Sequence, residues 1–333
     1  MSLKISAAGK TDVGLVRETN EDAFLVITDS NLLVVCDGMG GHQAGEVASG
    51  EACNIINQCF TRLTDELLNN SELDIADDLP SGGDLLIRAI RLANRSIYRQ
   101  SRADSRKSGM GTTVVGAVLE QNLISFAHAG DSRAYRLTDQ ALMPLTNDHS
   151  WVSQLQANGN MSEADAANLV SRNVITRALG VNERVEIDFR TNIAEEGDIY
   201  VFCSDGLCGF AEDEEIFAAA AACQGDVSAI VSDLVQLAND HGGQDNVTVV
   251  AVRIDSVGEN AGRQAYGPVT IPFESDAALE EENRIIADIE ASKKKVDDDI
   301  ETVTASRKGN RWTLPVIFVC FIILAAIIIY LYR

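Results

Sequence analysis

The sequence predicts an α+β fold, a four-layer α-β-β-α sandwich in which two antiparallel sheets pack face to face and helices flank them. Apolar runs rich in β-branched residues, such as 32–36 and 247–252, are typical of buried strands. Short turns join the strands predicted between residues 111 and 138, which indicates antiparallel meanders and not βαβ units. Helical patterns separate these groups of strands and are expected to cover the outer faces.

The individual elements follow from the period of the apolar residues. Strands are predicted at 3–8, 22–28, 32–36, 111–119, 122–129, 133–138, 186–190, 198–203 and 246–253. Helices are predicted at 42–63, 84–102, 150–157, 162–169, 212–222 and 226–240. Five arginines recur on one face of the helix at 84–102, namely Arg88, Arg91, Arg95, Arg99 and Arg102. A solvated stripe is the favoured interpretation of these arginines, and docking of an acidic partner is the alternative.

Composition narrows the classes of function. The net charge is −23, and most of it lies within the first 255 residues. An acidic domain argues against nucleic acid as a partner, because phosphate backbones require a basic surface. The seven cysteines form no CxxC pair and mostly lie in apolar segments. They are expected to be core residues of a reducing compartment, not a disulfide frame or a zinc site.

The C-terminal part of the chain differs from the rest. Residues 314–331 carry no charge over 18 positions, a length that approaches the hydrocarbon thickness of a bilayer. Aromatic residues flank this run, and basic residues precede it. We therefore predict a transmembrane tail anchor at 312–333 with everything before it in the cytoplasm. A polar charged tether, helical near 277–295, is predicted at 256–311, and no signal peptide is expected at the N-terminus.

Four short patches in the main domain, residues 1–255, place an acidic side chain beside glycine or asparagine. They lie at 20–22, 37–41, 204–206 and 244–246. Asp37 and Asp205 follow predicted strands, and Asp245 precedes one. Carboxylates at strand ends can converge at one edge of a sheet, and hard divalent cations prefer such clusters of oxygen ligands. The alternative for each aspartate alone is an ordinary turn residue.

Eight segments together carry a resemblance to a known family. They are DVG with RETNED (12–22), DGMGGH (37–42), GMGTT (109–113), AGDSR (129–133), LTNDHS (145–150), ITRALG (175–180), SDGL (204–207) and GQDNVT (243–248). In order and spacing, from about residue 5 to 253, the chain resembles the bacterial metal-dependent protein phosphatases of type 2C, the PPM family. The resemblance implies hydrolysis of phosphoserine and phosphothreonine by a hydroxide that bridges two Mn²⁺ or Mg²⁺ ions.

The resemblance also implies a role for each matching residue. Asp37 would bridge both ions, the carbonyl of Gly38 would bind one, and Asp205 and Asp245 would complete the other. Glu21 and Asp22 would bind mainly through waters, and Asp131 would help to hold a third, weaker ion. Arg17 would hold the substrate phosphate through paired donors. Residues 148–179 correspond to a flap over the site that sets substrate preference.

One position departs from part of that family. Animal members carry a histidine directly after the Asp-Gly pair as the proposed general acid, whereas this chain has Met39, as bacterial members do. His42 is a candidate for that role, although opening the helix at 42 is the favoured interpretation. The sequence is consistent with three functions: a protein phosphatase, a catalytically dead phosphoprotein binder and a small-molecule phosphatase. Phosphorylated proteins are the expected partners, including a membrane serine/threonine kinase.

Overall fold

The computed structural model describes residues 2–40, 44–71, 73, 79–157, 174–258 and 264–308. The strands are β1 (Lys4–Asp12), β2 (Asp22–Ile27), β3 (Leu32–Met39), β4 (Gly111–Thr112), β5 (Val114–Glu120), β6 (Leu123–Ala129), β7 (Arg133–Leu137), β8 (Leu142–Pro144), β9 (Ile187–Ile193), β10 (Ile199–Cys203), β11 (Val247–Ser256) and β12 (Tyr266–Ile271). The helices are α1 (Ala44–Thr61), α2 (Thr64–Leu68), α3 (Ser81–Ala103), α4 (Trp151–Ala157), α5 (Asp205–Cys208), α6 (Asp213–Ala222), α7 (Val227–Asp240) and α8 (Asp276–Lys308).

The strands form two antiparallel sheets. The first sheet has the order β1-β11-β10-β7-β8. The second has the order β12-β9-β6-β5-β3-β2, and β4 pairs with the end of β3. Every ladder in the two sheets is antiparallel, as the short turns between β5, β6 and β7 predicted. The α+β fold with two antiparallel sheets and flanking helices is therefore confirmed.

Alternation along the central strands divides the core into layers. On β10, Tyr200 and Phe202 face the second sheet and pack with Phe126 of β6. Their neighbours Val201 and Cys203 point to the other face, where they pack with apolar side chains of α6 and α7. Because successive strand residues point to opposite faces, a wholly apolar strand requires cover on both sides. The helices α1 and α3 provide the equivalent cover on the second sheet.

The predicted elements match the structure closely, with a few additions. The short strand β8 and the short helices α2 and α5 were not predicted. The predicted strand at 111–119 is interrupted at Thr113, which separates β4 from β5. The predicted helix at 162–169 lies outside the described residues. The helix predicted at 226–240 is α7, and it begins where the Asp226 carboxylate accepts hydrogen bonds from two N–H groups of the first turn.

The segment after β11 contributes to the sandwich. Strand β12 pairs with β9 and becomes the edge of the second sheet. By its internal contacts the chain divides into two compact units, Met1–Asn283 and Arg284–Arg333. The first unit thus continues beyond residue 255, where the domain was expected to end, because β12 and the first turns of α8 belong to it. We call residues 264–283 the C-terminal extension.

Three arginines of the predicted solvated stripe are buried: Arg88, Arg91 and Arg95. The C-terminal extension explains two of them. Arg91 donates to the carbonyl of Pro272 at 2.9 Å, and Arg95 donates to the side chain of Asn283 at 2.6 Å and to Glu183 at 2.9 Å. The interpretation as a solvated stripe is therefore wrong for these positions. The extension folds back over Arg91 and Arg95, whereas Arg88 bonds Asp84 and the carbonyls of Leu67 and Asn70.

Within the described ranges, no helix combines the length and apolar composition that crossing a bilayer requires. The predicted span at 314–331 and the anchor at 312–333 lie outside those ranges.

Candidate metal centre

Four of the predicted aspartates lie at one edge of the sandwich, and both sheets contribute to them. Asp22 begins β2, and Asp37, near the end of β3, lies directly opposite in the ladder. Asp205 begins α5 just after β10, and Asp245 lies two residues before β11. The centre is thus assembled where the two sheets meet.

Asp37 is the most crowded of these carboxyls. Burial raises its pKa well above the usual range, and the negative charges of Asp22, Asp205 and Asp131 raise it further. The carboxyls of Asp37 and Asp205 are in hydrogen-bond contact with each other. Burial and the charge of Asp245 also raise the pKa of Asp205. Such a group of like charges requires either protons or cations in its midst.

Asp22 lies deep in the cluster. Burial raises its pKa to about 7, although hydrogen bonds from Thr248 and Ser204 act in the opposite direction. The Ser204 hydroxyl donates to Asp22 Oδ2 at 2.8 Å. Asp22 Oδ1 is buried and has no hydrogen-bond partner among the described residues. This oxygen is therefore available to a bound water or ion.

Asp131 lies in the turn between β6 and β7, where the chain passes from the second sheet to the first. Burial raises its pKa to about 7, and the charges of Asp205 and Asp148 add to this effect. Its Oδ1 atom is buried and makes no hydrogen bond to the part of the chain that the structure describes. Asp131 therefore shares two features with Asp22, burial and an oxygen without a partner.

Two threonines hold the backbone of Asp37 in place. The Thr113 hydroxyl accepts from the Asp37 N–H at 3.0 Å, and the Thr113 N–H donates to the Asp37 carbonyl at 2.8 Å. The Thr112 hydroxyl donates to the same carbonyl at 2.9 Å. From the sequence these threonines have no assigned role, although they lie in one of the eight matching segments, which was the signal that could have identified them.

Gly38 occupies a position with no space for a side chain. A Cβ atom there would lie 2.2 Å from the carbonyl oxygen of Gly45 and 2.5 Å from that of Glu21. The Gly38 N–H donates to the same Glu21 carbonyl at 3.1 Å. The glycine is therefore required by the close approach of α1 and of the residue before β2. This reason is separate from the metal contact that the resemblance implies for its carbonyl.

Arg17 and Asp245 form the exposed side of the centre. Arg17 Nη2 lies 2.7 Å from Asp245 Oδ2, and half of the Arg17 side chain is exposed, at 51%. Asn246 fastens the loop that carries Arg17, since its amide donates to the carbonyls of Val13 and Thr19, each at 2.9 Å. Its Oδ1 atom accepts from the Glu21 N–H at 2.8 Å. Asn246 is a supporting residue that the sequence analysis did not assign.

The donor set of this centre suits hard divalent cations. All eight predicted positions lie at the same edge. Arg17 lies on its exposed side, and the seven oxygen donors are Glu21, Asp22, Asp37, Gly38, Asp131, Asp205 and Asp245. Carboxylate and carbonyl oxygens favour Mg²⁺ and Mn²⁺ over softer metals. The buried oxygens of Asp22 and Asp131 without partners and the mutual repulsion around Asp37 fit bound cations.

The position that carries the proposed general acid in the animal enzymes holds a side chain without a proton to give. Met39 ends β3, and its thioether has no exchangeable proton. His42 lies outside the described residues, and so do residues 158–173 of the predicted flap.

Known proteins share both the sequence and the fold. The family model for Protein phosphatase 2C matches residues 16–242. The serine/threonine phosphatase stp of Listeria monocytogenes is 35% identical over 252 residues, which cover 74% of this chain and 94% of that protein. A crystal structure of the catalytic domain of the serine/threonine protein phosphatase PstP, in complex with 2 manganese ions, has 34% identity and a TM-score of 0.64. It covers 76% of this chain and 99% of its own.

The serine/threonine phosphatase of Staphylococcus aureus gives a TM-score of 0.66 at 32% identity, over 76% of this chain and 97% of its own. Sequence and fold agree. The chain therefore belongs to the protein phosphatase 2C family of metal-dependent phosphatases.

Proposed function

We propose that this protein hydrolyses phosphoserine and phosphothreonine monoesters of other proteins with the help of two Mn²⁺ or Mg²⁺ ions. The observation that carries the proposal is the convergence of five aspartates from both sheets, two of them with buried oxygens that find no partner among the described residues. A catalytically dead binder of phosphoproteins has no need of such a costly arrangement. Membership of the 2C family and the activity in the names of its relatives support the same conclusion.

Within this proposal, Asp37 would hold both ions, the carbonyl of Gly38 would bind one of them, and Asp205 and Asp245 would complete the other. Glu21 and Asp22 would act mainly through waters, and Asp131 would help to hold a weaker third ion. When bound, the ions lower the pKa of a coordinated water and neutralise charge on the phosphate. The protein supplies the rigid oxygen frame, which Thr112 and Thr113 stabilise through the backbone of Asp37.

Arg17 binds the substrate phosphate in this scheme. Asp245 engages Nη2 of its guanidinium, which offers five N–H donors in a planar fork. The exposed position of the side chain lets an incoming phosphate approach the remaining donors. Because the ion pair with Asp245 fixes one side of the guanidinium, less rotamer freedom is lost when phosphate binds.

The test is hydrolysis of a generic aryl phosphate and of phosphothreonine peptides by the full chain, with EDTA and with Mn²⁺ restored. Activity should disappear with EDTA and return with Mn²⁺, or less well with Mg²⁺. Asp37→Asn should lose nearly all activity, because it alters the ligand shared by both ions. Asp29→Asn, in a surface turn away from the cluster, is the matched control and should remain fully active.

The outcomes separate the three functions. Full turnover in chelator would refute the metal-dependent mechanism. Turnover of aryl phosphate without turnover of phosphopeptide would favour a small-molecule phosphatase. Retention of phosphopeptides without turnover, in the presence of Mn²⁺, would favour the catalytically dead binder.

We also propose that a C-terminal anchor at 312–333 holds the protein at the membrane, with residues 1–311 in the cytoplasm. The uncharged run, its aromatic flanks and the basic residues before it support this proposal. Phosphoproteins of the membrane, including a serine/threonine kinase, would then be the preferred substrates, because tethering raises the local concentration of the enzyme.

Fractionation of cells that produce the full chain tests the anchor. The protein should sediment with membranes, resist extraction by high salt and dissolve in detergent, whereas a chain without residues 311–333 should stay in the supernatant. Protease added to intact cells should leave the catalytic domain undigested. A full chain found in the supernatant would refute the anchor, and digestion by external protease would refute the orientation.

A further inference from the structure

A second cluster of polar side chains lies beneath the metal centre and reaches the C-terminal extension. It consists of His128 of β6, His149, Arg177, Asp188 of β9 and Thr270 of β12. None of these residues is among the metal or phosphate ligands assigned above, although His149 and Arg177 lie at the two ends of the predicted flap. The cluster connects three parts of the molecule that are distant in sequence.

Asp188 is the centre of the cluster. Its Oδ1 atom accepts from Arg177 Nη1 at 2.7 Å and from the Thr270 hydroxyl at 2.8 Å. Its Oδ2 atom lies 3.2 Å from His149 Nε2. Burial alone would raise the pKa of Asp188, but the hydrogen bonds from His149, Thr270 and Arg177 outweigh it and hold the pKa below its usual range. Asp188 is therefore an ionised carboxylate that contacts Arg177, Thr270 and His149 at the same time.

His149 connects Asp188 with the turn that precedes Asp131 of the metal centre. Its Nδ1 atom accepts from the Gly130 N–H at 3.1 Å, so the ring proton lies on Nε2 and points toward Asp188. The His149 N–H also donates to the Gly130 carbonyl at 3.0 Å. Gly130 is therefore held on both sides, and it immediately precedes Asp131.

The turn at Gly130 has little freedom to adjust. Gly130 has φ +123°, and a Cβ atom there would lie 2.5 Å from the Thr113 Cβ. Thr113 in turn supports the backbone of Asp37. A shift of His149 would thus be felt directly at Asp131 and at the centre beside it.

The same cluster fixes the neck of the predicted flap, its described ends at 148–151 and 174–177. The Thr176 N–H donates to the His149 carbonyl at 2.7 Å, and the Trp151 N–H donates to the Val174 carbonyl at 3.0 Å. Arg177, one residue on from Thr176, binds Asp188 directly. Both ends of the neck therefore depend on the position of one carboxylate.

The donor atoms of His128, His149 and Asp188 lie close enough together to suggest a metal site. The surrounding groups argue against one. His128 Nε2 lies 2.9 Å from the Asn147 carbonyl, within hydrogen-bond distance, and the Arg177 guanidinium nitrogen Nη1 lies only 3.3 Å from His149 Nε2. A cation placed there would meet the guanidinium charge and would have to displace the proton on His149 Nε2.

We propose that Asp188 is a positioning residue, held by Thr270 of the C-terminal extension, that orients His149 and through Gly130 sets Asp131 for the weaker divalent cation. The extension thereby acts on the affinity of the centre for metal, although it lies outside the eight matching segments and touches none of the metal ligands named above. The part of this proposal that concerns ion affinity rests on the proposed function.

The test compares Asp188→Asn and Thr270→Val in the full chain with Thr191→Val as the matched control. Thr191 lies on β9, and its hydroxyl bonds to Ser125 within the same sheet, at 2.9 Å. Thr191→Val therefore removes one hydroxyl group from the sheet but no contact to Asp188. Mn²⁺ binding is followed by electron paramagnetic resonance of free Mn²⁺, and hydrogen exchange is followed at the amides of Gly130 and Thr176.

Asp188→Asn should weaken the weakest class of Mn²⁺ sites at least about ten-fold, the effect typical of lost outer partners of metal ligands. It should leave the tighter ions and kcat at saturating Mn²⁺ within about two-fold of the unaltered protein. Thr270→Val should show the same pattern at about three- to five-fold, because it removes one hydrogen bond to a charged acceptor. Exchange at Gly130 and Thr176 should accelerate in both variants and not in Thr191→Val, while amides of β11 stay protected.

Unchanged weak-site affinity and unchanged exchange in Asp188→Asn would overturn the proposal. If Asp188→Asn fails to fold, Thr270→Val decides, and equality with Thr191→Val would refute the role of the extension. An unaltered protein that binds only two Mn²⁺ ions would overturn the effect on affinity. A protein without phosphatase activity would refute the proposed function, whereas the exchange measurement would still decide the positioning role.

Discussion

At the scale of single residues, burial of the carboxylates of Asp22 and Asp131 is costly. A buried polar atom without a partner costs about 1–3 kcal/mol, and more when it is charged. Burial is the largest cause that raises the pKa of each residue to about 7, and repulsion by acidic neighbours contributes to the rise. Residues of this kind are retained at functional sites, and under the proposed function bound cations would offset the cost.

Arg17 provides a prediction at the same scale. Arg17→Ala should raise KM for a phosphopeptide about ten-fold, since the lost charge-assisted hydrogen bonds are worth about 1.5–3 kcal/mol. The change in kcat should be smaller, because in the proposed function Arg17 would bind phosphate in the ground state and the transition state alike. Steady-state kinetics at saturating Mn²⁺ measures both constants.

The matched control is Arg106→Ala, which removes an exposed arginine whose recorded ion pair is with Asp104. It should leave both constants unchanged. Loss of Mn²⁺ binding in Arg17→Ala, together with an unaltered KM, would show that Arg17 serves only to hold Asp245.

At the scale of elements, the sequence predicted those strands and helices that a local pattern of apolar residues determines. Strands such as β3, β10 and β11 are continuous apolar runs, and the acidic residues beside them carried the site. Strand β12 was missed, because Gly267 and Pro268 interrupt it and its exposed face is polar, so that it resembles a tether. The burial of Arg91 and Arg95 was missed for a related reason, since only the return of a distant segment removes them from water.

Removal of the C-terminal extension tests its importance. A chain that ends at residue 255 exposes the edge of β9 and leaves Arg91 and Arg95 without their contacts to the extension. Because deletion returns both guanidinium groups to water, the cost comes from the lost hydrogen bonds of the extension and of the β9–β12 ladder, at about 0.5–1.5 kcal/mol each. A loss of about 3–5 kcal/mol follows, and each kcal/mol lowers Tm by about 2–4 °C in a domain of this size. Thermal denaturation should show a Tm about 10 °C lower than that of a chain that ends at residue 308.

A chain of residues 1–308 is the matched control because it keeps the whole of α8. Equal Tm values for the two chains would mean that the extension only covers a sheet and helix face that are stable without it.

At the scale of the whole molecule, a net charge of −23 surrounds a centre that is itself acidic. Metal binding must therefore displace protons from Asp22 and Asp131. In the folded, metal-free protein these groups have pKa values near 7, well above the ordinary value of 3.8. The stability that their protonation confers is complete at low pH, below the unfolded value, and is lost as pH rises through the folded value near 7.

The metal-free protein should accordingly lose stability as pH rises from about 4 to 7, with the last of the loss between about pH 6.5 and 8, and Mn²⁺ should raise Tm more at pH 8 than at pH 6.5. His128 acts in the opposite direction, because burial lowers its pKa to about 4 and the unfolded chain binds the proton more tightly, but above pH 6.5 its effect is smaller than that of the two carboxyls. Thermal denaturation in EDTA and in Mn²⁺ across this range is the measurement. Asp131→Asn should flatten the pH dependence in EDTA, and a slope of the opposite sign would contradict the assignment.

The assembly of the centre from both sheets also affects how the molecule folds. Asp22 and Asp245 come from opposite ends of the first unit, and they become neighbours only when β2 and β11 have docked. Closing such long loops is slow, and no cation can find its ligands before it is complete. Metal ions therefore arrive after the rate-limiting step of folding. Their stabilisation is expressed as a slower rate of unfolding, while the rate of refolding stays the same with or without them.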